Sequence, residues 1–174
     1  ERPGRGRRAG PVINSTTPGA YSWNQALRPE IQAYRIFNAN PEPAARFRNA
    51  GFGMVMTHQA DGIARGSAAM VKLSDAPMQE LIVKDHTAAC YSFNKGSSPQ
   101  DYPNSEMGAI ALLRQSFLDA EWYEKGGKKK EFNISIQSWI DQRNLPQFFE
   151  SENYLQALRA DRIGDEFGVR YVTV

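Results

Sequence analysis

The chain has 174 residues, is 41% apolar and 23% charged, and carries a formal charge of +2. That is enough apolar chain for one globular domain with a core, and it excludes a disordered tail. No run of about 18 apolar residues exists, which excludes a helical membrane span, and the single Cys90 excludes an internal disulfide or a cysteine-rich zinc site.

Residues 1–20, rich in Gly, Pro, Arg, Ser and Thr, read as an extended basic arm or loop ahead of one domain spanning 21–174. Arg2, Arg5, Arg7 and Arg8 against Glu1 give the first ten residues +3 and leave the rest at −1. The arm has no interleaved aromatics and no basic face behind it. A solvated tail is therefore favoured and nucleic acid is not expected as a partner. The sequence opens on Glu1 with no apolar signal core, so it is expected to be a processed chain or a piece of a longer one.

From Tyr21 to Phe37 the spacing of Trp23, Ala26, Leu27, Ile31 and Tyr34 is roughly helical, with Pro29 breaking it or opening a second helix. A short amphipathic helix over about 42–49 then leads into a strand at Gly51. Phe52, Met54, Val55 and Met56, bounded by glycines, predict a strand covered on both faces. Just past it Thr57, His58, Gln59, Asp61 and Arg65 crowd polar groups, with Gly62 and Gly66 permitting tight turns. His58 with Asp61 is the best local pair for a general base or an orienting dyad, against the plainer role of a histidine satisfying loop backbone. Arg65 can grip a carboxylate in a bidentate fork or pair with Asp61 to fix the turn.

Residues 68–73 and 81–93 read as a hairpin across the turn-like 74–77, and 94–104 as a long irregular loop. Within the second strand, His86 and Cys90 stand about 13 Å apart at 3.3 Å per residue, too far for a thiol–imidazole pair. Ser105 caps a helix carrying Met107, Ile110, Leu113, Phe117 and Ala120 at helical spacing, and a further helix spans about 134–143. Trp23, Trp122 and Trp139 lie in amphipathic patterns and are expected in the core. Pro146 to Glu150, a helix from Ser151 or Asn153 to Gly168, and Val169 to Val174 form a β-α-β unit, with Glu150 and Ser151 at the carboxyl end of a strand, where ligands bind.

Taken together, the helix-fed Gly51-Phe-Gly strand, the Thr57-His-Gln-Ala-Asp-Gly-Ile-Ala-Arg-Gly66 stretch, the Ser105-Glu-Met-Gly-Ala-Ile-Ala-Leu-Leu-Arg-Gln115 helix and the Pro146-Gln-Phe-Phe-Glu-Ser151 unit resemble the amidohydrolase superfamily. The nearest likeness is to its imidazolonepropionase-like branch, especially large secreted or periplasmic Bacteroidetes-type members, over about residues 11–174. The resemblance implies an α/β fold, a partial (β/α)8 TIM-barrel-like segment with an inserted β-hairpin. It implies hydrolysis of amide or other C–N bonds by water activated on zinc or a similar divalent metal.

Such members hold the metal with a His-x-His pair, later strand-end histidines and an aspartate. This chain has no His-x-His, and Glu150 stands where a histidine ligand is expected, making it the metal-ligand candidate. Beside it, the residues themselves make His58 and Asp61 the catalytic candidates and Arg65 and Ser151 the substrate-contact candidates. A full barrel takes about 250 residues, so the chain reads as an internal segment, inactive alone and needing no metal by itself. Its expected partners are the remainder of the barrel or another copy of the chain, and a small-molecule or peptide-like substrate. The other reading is a non-catalytic binding or scaffold module that kept the architecture without its ligands.

Overall fold

A computed structural model describes residues 10–174. The arginines of the expected basic arm lie outside the described residues. The elements, in chain order, are α1 (Ala33–Ile36), α2 (Pro41–Asn49), β1 (Met54–Thr57), β2 (Ala64–Lys72), α3 (Met78–Leu81), β3 (Ile82–Ser92), α4 (Glu106–Glu124), α5 (Ile134–Asp141), β4 (Gln147–Glu150), α6 (Tyr154–Phe167) and β5 (Tyr171–Thr173), with a 3-10 turn at Gly127–Lys129.

The strands make one five-stranded sheet in the order β1-β2-β3-β4-β5. β1 to β3 form an antiparallel meander, while β3, β4 and β5 are parallel. This corrects the expectation of a (β/α)8 barrel segment, which needs parallel strands with a helix between each pair. The reason lies in the connections. Residues 58–63 and 73–81 are shorter than the dozen or so residues a parallel crossover takes, so β2 must fold back on each neighbour. The hairpin read as an insertion is accordingly the centre of the sheet. The β4-α6-β5 unit forms as its sequence indicates, stopped at Gly168 with φ 67°.

The helices bury one face of the sheet. Tyr91 of β3, Phe93 just after it, Phe149 of β4, Leu112 and Leu113 of α4, Trp139 of α5 and Ile163 of α6 share one core. Phe149 is fully buried between Phe93 at 4.6 Å and Tyr171 at 5.3 Å, a burial that contributes about 2–3 kcal/mol. α4 is held at its start by the Ser105 hydroxyl, which accepts from the Gly108 amide.

The apolar face of α4 follows its sequence reading, with Leu113 and Ala120 buried and Ile110 and Phe117 packed against the core, except at its first position. Ala109, Leu112, Leu113, Ser116, Ala120 and Tyr123 are the buried residues of α4, and Met107 faces solvent. Of the three tryptophans Trp139 alone is core. Trp122 is exposed, and Trp23 stacks on Tyr102 at 6.1 Å near the surface.

The opposite face carries Ala68, Ala88 and Cys90, buried among themselves with Met56 and Phe148 half-buried beside them. Met54 and Val172, on the same side by strand alternation, are about half exposed. β1 is thus an edge strand with Phe52 and Met54 open, not a strand covered on both faces.

The stretch read as helix over 21–37 is mostly turn. Its Leu27 and Gln32 bridge to Ala64 and Ser67, along the part of β2 that β1 does not reach. Buried Gln100 organises the surrounding loops: its carbonyl accepts from the Gln25 amide at 2.6 Å, and its amide donates to the carbonyls of Ile13 and Trp23. Residues 12–25 are held by this side chain, by Asp101, which accepts from the Val12 amide at 2.6 Å, and by the bonds of Ser22 to Ser135 and Asn24 to the Tyr102 carbonyl.

Candidate functional site

The register aligns one polar rim. β1 and β3 run the same way, both antiparallel to β2, and β3 is parallel to β4. The carboxyl ends of β3 and β4 therefore lie together, Ser92 opposite Glu150, with the amino end of β2 beside them through the Ala64–Tyr91 pair. Arg65, the second residue of β2, reaches past β3 to Glu150.

Arg65 is buried, its side chain 4% exposed, and its Nη1 donates to Glu150 Oε2. Its Nε donates to the Gly62 carbonyl at 2.9 Å. A buried guanidinium requires such partners, because losing its water unpaired is costly. Gly62 and Gly66 both take positive φ here, and a side chain at Gly66 would collide with the Ile31 carbonyl. Glu150, by contrast, has a side chain 49% exposed. Cys90 lies under this pair. Burial pushes its thiol up to about 11, with Arg65 pulling it down and Glu150 raising it. An uncharged buried thiol is not a nucleophile at neutral pH.

Asp61 belongs to a separate arrangement. Its carboxylate accepts from Arg28 Nη1 at 2.7 Å, from the Ser97 amide at 2.6 Å and from the Ser97 hydroxyl at 2.7 Å. The Ser97 hydroxyl chiefly, against the opposing effect of burial and helped by the Ser97 amide and Arg28, holds its carboxyl below the ordinary carboxylate range. The residue ties residues 24–28 to the 94–104 loop. Its partner is Arg28, not Arg65, and neither Arg28 nor Ser97 stands out in the sequence.

His58 donates from Nδ1 to the Gln59 carbonyl at 2.9 Å, leaving Nε2 as the acceptor nitrogen. No hydrogen bond joins it to Asp61, Arg65 or Glu150 among the described residues. β1 ends at the Thr57–Ala69 pair, and the next part of the β2 edge is occupied by Leu27 and Gln32, so His58 stays on the side of β2 away from β3 and Glu150. The Ser151 amide donates to the Val174 carbonyl at 2.9 Å, extending the β4–β5 ladder just beyond Glu150. His86 points elsewhere, its Nδ1 3.0 Å from Ser67 Oγ and its ring edge-on to Tyr34.

Among the described residues no three of His, Cys, Asp and Glu converge as a metal-binding group. Glu150 Oε2 is already engaged by the Arg65 guanidinium, and no two further carboxylate, imidazole or thiol groups converge with it on a metal position among the described residues. These residues do not fit a zinc site. A cleft of about 320 Å³ lies elsewhere, between α2 and the β1–β2 hairpin. Phe47, Val55, Val71 and Leu73 line it, and its Asp75 is held by Arg48 at 3.0 Å. It contains none of the rim's charged residues.

No family model matches the sequence, and no curated protein matches it. Among solved structures the fold is similar to that of an amidohydrolase from Thermotoga maritima MSB8, with a TM-score of 0.68 and 23% identity over 93% of this chain and 48% of that chain. The chain spans about half the length of that solved protein. At this identity the likeness is one of fold.

Proposed function

We propose that the chain supplies part of a hydrolase site for amide or related C–N bonds, with the rim at the ends of β3 and β4 as its substrate-facing surface. The observation that carries this reading is the Arg65–Glu150 pair: a buried cation holding a half-exposed carboxylate at the carboxyl ends of parallel strands, where such sheets place ligands. The likeness in fold to a protein described as an amidohydrolase supports it.

In this reading Glu150 meets the reacting amide or the attacking water, and Arg65 fixes its orientation. Ser151 flanks the substrate. His58, just past β1 on the other side of β2, and Asp61, committed to Arg28 and Ser97, take no part at this rim. Activity requires surfaces beyond these residues, supplied by further chain or by a second copy.

The test is to express the chain together with whatever its reading frame encodes on either side, and to assay release of amine from a panel of simple amides. Removing an acid–base group costs about 10²- to 10⁴-fold in rate. Glu150→Gln is expected to fall in that range. An unchanged rate in that variant removes Glu150 from the mechanism.

A binding module without catalysis is the second reading. It is favoured by the engagement of Glu150 with Arg65 in place of a converging set of metal donors. It expects no turnover of any amide by the extended protein, with ligand binding at the same rim retained.

A further inference from the structure

The sequence offers Arg65 either as a grip for an anionic ligand or as a turn lock with Asp61, and the geometry shows a different arrangement. The Arg65 side chain is 4% exposed and its visible contacts are to Gly62 and Glu150, whereas the Glu150 side chain is 49% exposed. A ligand arriving at the rim meets the carboxylate first. The guanidinium lies beneath it, neutralising part of its charge and fixing its direction without presenting itself.

The floor beside this carboxylate is apolar. By strand alternation Phe148 lies on the same side of β4 as Glu150, Cys90 on the same side of β3, and Val172 on the same side of β5. Phe148 is half-buried and Val172 about half exposed, so both offer surface to a ligand. The feature is therefore an apolar strip ending in a positioned, solvent-facing negative charge.

We infer that this strip binds a cationic, amphipathic nitrogen ligand, its ammonium on the outer face of the Glu150 carboxylate and its apolar side chain over Phe148 and Val172. An α-amino amide or the N-terminal residue of a peptide with an aliphatic side chain has this chemistry. The inference takes its location from the proposed hydrolase rim but not its catalysis. Binding is measured without turnover, so a protein that binds such a ligand and cleaves nothing upholds this inference while sinking the hydrolase.

The probe is leucinamide, compared with 4-methylpentanamide, which lacks the ammonium, and with N-acetyl-leucine, which carries only a negative charge. Each is titrated into the purified protein while backbone amide resonances are followed by NMR. Leucinamide is expected to shift the amides of Phe148, Glu150, Ser92 and Val172 along one saturating curve. 4-Methylpentanamide is expected to bind at least about tenfold more weakly, the range of one charge-assisted hydrogen bond. Glu150→Gln keeps the shape of the side chain and its half-exposed position, and is expected to reduce leucinamide to the weakness of the neutral probe. Arg65→Lys keeps a buried cation and is expected to weaken binding less than Glu150→Gln.

Tighter binding of N-acetyl-leucine at the same amides overturns the inference and returns Arg65 to the role of anion grip. Equal binding of leucinamide and the neutral amide also overturns it, by removing the charge of Glu150 from recognition. So does the absence of any rim shift with leucinamide at saturating concentration.

Discussion

Asp61 and Glu150 are both carboxylates near the same end of the sheet, and both are paired with arginine, yet they are built for different work. Asp61 accepts three hydrogen bonds, from Arg28 and twice from Ser97, and ties two loops together. Glu150 accepts from one buried guanidinium and leaves half its side chain to solvent. A carboxylate saturated by its own chain is committed to structure. One held from beneath retains acceptor capacity for something outside.

Three perturbations test that contrast through stability, from the largest expected effect to the smallest. Gly96 has φ 64°, and a Cβ there would run into the Asp61 carboxylate and the Gly62 amide. Gly96→Ala is expected to lower stability by about 3 kcal/mol or more, through strain and loss of the Asp61 ties. A urea melt checks it, and an unchanged midpoint would mean that the Asp61 arrangement carries little stability. Asp61→Ala, which strands the donors of Arg28 and Ser97, is expected to cost about 1–3 kcal/mol. Glu150→Gln is expected to change stability by less than about 1 kcal/mol, as for a partly exposed ion pair. A loss for Glu150→Gln as large as that for Asp61→Ala would erase the distinction.

Acid sharpens the contrast. The folded-state pKa of Asp61 lies below its ordinary 3.8, chiefly because the Ser97 hydroxyl donates to the charged form. That contribution is fully present well above 3.8 and is lost as pH falls through the lower folded value. In acid melts Asp61→Asn is therefore expected to flatten the loss of stability below about pH 3.8, and a limb as steep as in the parent chain would count against it.

The smallest effect concerns Cys90, whose thiol, raised to about 11 by burial, is expected to resist a thiol-specific reagent at pH 8 in the folded chain and to react once unfolded.

Much of the local structure was legible in the sequence. Ser105 and Asn153 bond the first turns of their helices, Gly168 ends α6, and the β4-α6-β5 unit follows from those signals. The sheet's direction was not legible, because Met54–Thr57 reads equally as a buried parallel strand or an antiparallel edge. The short loops at 58–63 and 73–81 carried the deciding information, and their lengths outweigh the apolar run.

At the site, Arg65 and Glu150 stand out in sequence as ionisable residues near strand ends. Their pairing did not, since it depends on β2 and β4 lying on either side of β3. Arg28 and Ser97 were invisible for the same reason: each is an ordinary loop residue until the fold brings it to Asp61. Gln100 is the clearest case of a polar residue in a structureless stretch that the fold buries and uses.

The most direct test of the central contrast follows the side-chain carboxylate carbons of Asp61 and Glu150 by NMR while leucinamide is added. The Glu150 carbon is expected to shift along the binding curve while that of Asp61 stays fixed. Movement of Asp61 with Glu150 silent, or of neither, would contradict the account.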